Sequence, residues 1–210
     1  MQGNNIGLIS QNSKSKVTKE LRDKPINQLD DIINSMPSEI SQFVNEAFIH
    51  KRIPKEYLFS SILYAFSNAP GLAVNINCMN YTNYANLNFV IVGSRGDIKS
   101  PAMEMACYPL KLKDDENYRV YKKQLSESQN NDFTTENIGP IKRKMFLIQN
   151  ATVESAMYDH LNNPYSIGVY VDELSYMIEK MANKNSNEGA VWRVFWLQGN
   201  TNKHIDVSRK

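Results

Sequence analysis

Cysteine and histidine are scarce in this chain, and what they leave out narrows the chemistry at once. Two cysteines, Cys78 and Cys107, and three histidines, His50, His160 and His204, are scattered over 210 residues with neither CxxC spacing nor any His pair at ligand distance in sequence. That argues against a zinc centre and against a disulfide framework. No apolar run approaches the ~20 residues of a membrane-spanning helix, and the N-terminus lacks the basic-then-apolar order of a secretion signal, so a cytoplasmic location and no membrane partner are expected. Charge of one sign is also missing. A formal net charge of +2 is too small to announce nucleic-acid binding, and the basic clusters between Lys14 and Lys24 and at Lys142-Arg143-Lys144 are short.

What remains is a globular composition, 41% hydrophobic, sufficient for one core or one core with an appendage. Residues 1–25 are rich in Asn, Ser, Gln and Lys and poor in large apolar side chains, so burial there cannot offset the entropy of ordering, and a flexible polar tail is expected. Residues 26–70 predict a small helical cap. Leu29, Ile32, Ile33, Ile40, Phe43, Val44 and Phe48 recur at helical spacing, with Pro37 placed to start a second helix. Pro54 opens a further pattern through Tyr57, Leu58, Ile62, Leu63 and Phe66 that ends at the breaker cluster Asn68-Ala69-Pro70-Gly71.

From residue 71 to 210 the pattern changes to short apolar runs alternating with helical stretches. Strands are expected at Leu72–Ile76, Phe89–Val92, Met145–Ile148, Ile167–Val171 and His204–Val207. Helices are expected at Ser100–Leu110 with Pro101 in the first turn, over Lys111–Gln124, from Thr152 to Leu161 with Thr152 as N-cap, through Met181, and around Val191–Leu197, and Ser126–Thr135 reads as a polar loop. The alternation predicts an α/β fold, a P-loop NTPase three-layer core with a mainly parallel sheet, incomplete at its C-terminus.

Two motifs sit where such a sheet would place a ligand. The run Phe89-Val90-Ile91-Val92 empties into Gly93-Ser94-Arg95-Gly96-Asp97-Ile98-Lys99-Ser100, close to the GxxxxGK[ST] phosphate loop, with Ile98 in place of the second glycine. Backbone amides of such a loop point at phosphate, a following helix adds positive dipole, Lys99 neutralises outer phosphates, and the Ser100 hydroxyl suits Mg²⁺. Pro101, without an N–H, and Ile98, with a branched side chain, reduce or redirect those contacts. The second motif is Ile167 to Val171 followed by Asp172-Glu173, an apolar strand delivering carboxylates to its end, as in a Walker B segment. Asp172 would hold Mg²⁺ and Glu173 would orient or deprotonate the attacking water. The plainer alternative is that the two carboxylates simply open the next helix, where its dipole favours them.

Gly93 to Ala102, then Asn150-Ala151-Thr152-Val153-Glu154-Ser155, then Val169-Tyr170-Val171-Asp172-Glu173-Leu174 together resemble a domain-of-unknown-function family of P-loop proteins related to the primase-helicases of phages and mobile elements. The resemblance runs from about Pro37 to the C-terminus and includes the Lys-Ser-Pro form of the loop. It implies ATP and Mg²⁺ as cofactors, ATP hydrolysis coupled to DNA, and single-stranded DNA, a primase or further copies of the chain as partners. Glu173 and Lys99 are then the catalytic candidates, Gly93 to Ser100 bind nucleotide, and Ser100 and Asp172 bind metal.

Other residues carry weaker expectations. Thr152 and Glu154 could approach a nucleotide, although an N-cap with an acidic first turn explains them more simply. Arg193 and Arg209 are candidate arginine fingers. Tyr81, Tyr84, Tyr108, Tyr118 and Tyr121 could stack on bases or merely pack on helices, and Trp192, Phe195 and Trp196 read as core or interface. The rival to an ATPase is a nucleotide-sensing or structural module whose altered loop binds without hydrolysis.

Overall fold

A computed structural model describes residues 28–130, 141–164, 166–183 and 187–201. The expected N-terminal tail, the strand at His204–Val207, Arg209 and the second half of the predicted loop, residues 131–135, lie outside the described residues. The chain divides into two compact units, with the boundary between Glu56 and Tyr57.

In the first unit, α1 (Gln28–Ser35) packs against α2 (Ser38–Lys51), as the apolar spacing predicts. Pro37 precedes α2 in an extended conformation, where its missing N–H costs no helical bond. The helix ends at Arg52, which turns left-handed (φ 57°) and donates its N–H to the Phe48 carbonyl at 3.1 Å; Ile53 N–H then returns to Ala47. This pattern satisfies the last carbonyls and buries Ile53 with Ile33 and Val44. Lys55 pairs with Asp30 at 2.7 Å.

The second unit takes up α3 (Lys55–Asn68) from Tyr57 onward. The buried hydroxyls of Ser61 and Ser67 donate back to the carbonyls of Tyr57 and Tyr64, so helix burial leaves them paired. After a short 3₁₀ turn at Gly71–Ala73, β1 (Asn75–Cys78) and β2 (Tyr81–Tyr84) form an antiparallel hairpin in which Cys78 faces Tyr81. Its two-residue turn, Met79-Asn80, has both φ values positive (49° and 69°), matching the strand twist of a type I′ hairpin. Then α4 runs from Lys99 to Asn130, absorbing two predicted helices and the start of the predicted polar loop into one rod of 32 residues that contains Pro109. Two-residue strands β3 (Leu147–Ile148) and β4 (Gly168–Val169) pair in parallel across α5 (Val153–Asn162). Helices α6 (Leu174–Ala182) and α7 (Asn187–Asn200) pack against each other.

The predicted three-layer P-loop core with an extended parallel sheet is therefore corrected. The described residues are mostly helical and hold only two sheets, each of two strands, one of them antiparallel. The parallel ladder is confined to Leu147 opposite Gly168 and Ile148 opposite Val169. Phe89–Val92, expected as a central strand, joins no ladder, and Val92 is 81% exposed. A short apolar run is compatible with a strand but cannot supply the neighbour whose N–H and C=O groups make it one. Here its flanks are held by side chains instead. Asn86 donates to the Gly199 and Asn200 carbonyls at the end of α7, and Asn88 donates to the Asn200 side chain.

Period-two alternation survives where the ladder exists. Leu147 turns toward Cys107 and Leu110 of α4, while Ile148 turns toward Val153, Ala156, Trp192 and Phe195. Trp192, Phe195 and Trp196 share one face of α7, with the Trp192 and Phe195 rings edge-on at 5.6 Å; Trp192 and Phe195 are buried core, and Trp196 packs partly buried against them. Asp114, reaching in from the middle of α4, accepts hydrogen bonds from Phe146 N (2.6 Å) and Leu147 N (3.0 Å) and fixes β3 against the helix.

Candidate phosphate-binding site

The loop from Gly93 to Ile98 leads directly into α4, so the first helical residues are Lys99 and Ser100. Two of its residues have left-handed backbone, Gly96 (φ 94°) and Ile98 (φ 56°). Glycine adopts that conformation freely, whereas a β-branched residue there carries steric strain of about 1–2 kcal/mol. Ile98 thus holds the backbone conformation that a glycine would supply at that place in the motif, and does so against its own preference. Gly93 has a different role. A Cβ there would lie 2.7 Å from an Asp97 carboxylate oxygen and would meet the Tyr57 hydroxyl, so a larger residue would push aside these two side-chain ends, including the Tyr57 hydroxyl that donates to the Val92 carbonyl at 3.2 Å.

Inside the loop, Asp97 accepts a short hydrogen bond from the Ser94 N–H, and its own N–H donates to the Ser94 carbonyl at 3.3 Å. Lys99 folds back so that Nζ donates to the carbonyls of Gly93 (2.9 Å) and Ser94 (2.6 Å). No carboxylate among the described residues pairs with this ammonium. Arg95 lies exposed at the loop apex. Pro101 occupies the third position of α4, where its missing N–H breaks no intrahelical bond.

The second motif meets the first. Beyond β4 the chain reaches Asp172, whose Oδ1 accepts a hydrogen bond from Ser100 Oγ at 2.6 Å, joining residues 72 apart in sequence. Glu173 follows at the N-cap of α6 and makes no capping hydrogen bond with its side chain. Both carboxylates are exposed. A hydroxyl and a carboxylate are hard oxygen donors of the kind Mg²⁺ takes, and Mg²⁺ completes its octahedron with water and substrate phosphates rather than an all-protein cage. The donor set therefore fits that ion. No cluster of three or more His, Cys, Asp or Glu residues suited to a metal occurs among the described residues.

The remaining candidates are placed elsewhere. Thr152 caps α5 by accepting the Ser155 N–H at 3.3 Å, and Glu154 lies exposed in that first turn. Arg193 donates to the Met181 carbonyl, which ties α7 to the end of α6. Tyr81 is exposed on the hairpin and Tyr108 on α4. Sequence reasoning missed Tyr57, Asn86 and Asn88, which hold the approach to the loop; contacts bridging 35 or more residues leave no local signature. No helix among the described residues is long and apolar enough to cross a membrane. Comparison of the chain with family models, curated proteins and solved structures finds no match.

Proposed function

We propose that the loop from Gly93 to Ser100, with Asp172 and Glu173, binds Mg-ATP and hydrolyses it. The observation that carries this reading is the Ser100–Asp172 hydrogen bond, which brings together two metal-binding candidates 72 residues apart in sequence. It is supported by a lysine held only by carbonyl oxygens, free of any carboxylate partner among the described residues, at the start of a long helix. Lys99 would exchange its carbonyl partners for the outer phosphate oxygens. Ser100 and Asp172 would hold Mg²⁺, which supplies charge neutralisation on the transferred phosphoryl group. Glu173, exposed and not engaged in capping, would position and deprotonate water. The resemblance noted in the sequence extends the proposal to work on DNA beside a primase module or further copies of the chain.

A second reading, nucleotide sensing without turnover, draws on one observation. The Asp97 carboxylate already occupies the Ser94 amide, a donor a phosphate would need. The deciding experiment measures ATP affinity with and without Mg²⁺ for the wild type and Lys99→Ala, together with phosphate release. Mg-dependent binding lost in the variant supports the site; equal binding in both proteins, or none, removes it. Turnover abolished in Glu173→Gln with binding retained selects the ATPase, and binding without turnover in the wild type selects the sensor.

A further inference from the structure

The stripe of α4 that faces the core upstream, through Cys107, Leu110 and Asp114, continues at the same helical spacing through Asn117, Tyr121 and Gln124. There it stops being a packing face. Asn117, Val120, Tyr121 and Gln124 form one wall of an open groove whose other wall is Lys142 and Lys144. Two features singled out separately in the sequence, the tyrosines of α4 and the basic triplet, are thereby brought together.

The middle residue of the triplet explains the placement. Arg143 lies over the Tyr118 ring, 4.7 Å from its centroid, and Lys122 lies over the same ring at 4.8 Å. The guanidinium is also attracted by the carboxylates of Asp114 and Asp159. Arg143 is thus committed to structure, while its neighbours Lys142 and Lys144 stand exposed along the groove and make no ion pair among the described residues. Residues 117–124 and 141–146 together carry six basic side chains and no acidic one. Tyr121 carries no cation on its ring among the described residues, in contrast to Tyr118.

We propose that this groove binds single-stranded nucleic acid, with Lys142 and Lys144 on phosphates, Tyr121 stacked on a base, and the Asn117 and Gln124 amides hydrogen-bonded to base or sugar. Cations alone would suit any polyanion. An aromatic side chain between amides and lysines selects a ligand that offers ring faces as well as phosphates, and a duplex hides those faces in its stack. The groove rests on the DNA part of the proposed function and is independent of the nucleotide site.

The test is fluorescence anisotropy with labelled oligo-dT and oligo-U of about 12 nucleotides, over a range of salt and without nucleotide. Salt-sensitive binding is expected for either strand. Lys142→Glu with Lys144→Glu should weaken it at least about tenfold and lower the salt slope by about 1.4, at ~0.7 per lost phosphate contact. Tyr121→Ala should weaken it about tenfold, and Tyr121→Phe, which keeps the ring, should stay within about twofold of wild type. Lys99→Ala should leave it unchanged. Absence of binding overturns the proposal, as does binding indifferent to the lysine reversals, equal affinity for a duplex or for polyglutamate, or loss of binding in Lys99→Ala, which would put the strand at the phosphate loop instead. Failure of ATP to bind the wild type leaves these outcomes intact, so the two proposals fail separately.

Discussion

Ser100 Oγ donates to Asp172 Oδ1 at 2.6 Å, and no other side-chain hydrogen bond among those described at the loop reaches from α4 to the segment beyond β4. The bond sets two oxygen donors side by side without fixing either by burial, since Asp172 is exposed. Asp172→Asn keeps a hydrogen-bond acceptor for Ser100 but loses the charge that would hold Mg²⁺. Its ATP affinity in Mg²⁺ should fall by roughly 10-fold or more, the scale of one hydrogen bond to a charged group, while the affinity in chelator should hardly change. Isothermal titration in both buffers checks this, and an equal loss in both would remove the metal role.

Asp97 already places an anion on the Ser94 N–H. A bound phosphate must displace it or accept its repulsion, so Asp97→Asn should tighten ATP binding severalfold, about 1 kcal/mol on the scale of a charge-assisted hydrogen bond. An unchanged or weaker affinity would mean that the Ser94 amide takes no part.

At Ile98 the usual penalty of mutation to glycine should disappear. Glycine in ordinary backbone costs about 0.5–1 kcal/mol in unfolded-state entropy, but relief of the positive φ at Ile98 returns about 1–2 kcal/mol. Ile98→Gly should therefore be at least as stable as wild type in thermal or urea unfolding, with ATP affinity retained. Ile98→Val, which stays β-branched, should gain nothing. A destabilised glycine variant would show that packing of the Ile98 side chain outweighs its strain.

The sequence was legible where local chemistry decides the outcome. Pro37 and Thr152 mark their helix starts, the apolar spacing finds α1, α2 and α3, and Ser100 of one motif lies within hydrogen-bond distance of Asp172 of the other. It misled where the outcome depends on a distant neighbour. Phe89–Val92 has strand composition but no adjacent strand to pair with, and the stretch from Lys111 to Asn130, polar enough to read as helix then loop, continues as one helix. Asp114 gave no warning at all. An aspartate within a charged helical run reads as solvent-facing, yet its carboxylate enters the core because two backbone N–H groups of the strand region need an acceptor there.

The two cysteines should separate cleanly by reactivity. Cys78 is exposed at the end of β1, whereas Cys107 is buried, and burial pushes its thiol up to about 11. Because the thiolate is the reactive form, an alkylating reagent near neutral pH should modify Cys78 alone in the folded protein, and Cys107 only on unfolding. Mass spectrometry of the labelled peptides reads this directly, and early labelling of Cys107 would contradict its place beside Leu110 and Leu147.

Asp114 links stability to pH in a definite direction. Burial raises its pKa above the ordinary value, and the N–H groups of Phe146 and Leu147 only partly oppose that shift. A carboxyl whose folded value is raised contributes stability below its unfolded pKa and loses that contribution as pH rises through the folded value. The stability of wild type relative to Asp114→Asn should therefore be greatest at acid pH and decline as pH rises through and above the ordinary aspartate range. At neutral pH Asp114→Ala should still be less stable than wild type by about 1–3 kcal/mol, because the two strand N–H groups lose their acceptor without water to replace it. Urea unfolding of the three proteins across that range measures both effects. A wild-type advantage that grows with pH would mean that the two hydrogen bonds outweigh desolvation and that the folded carboxyl is the stronger acid.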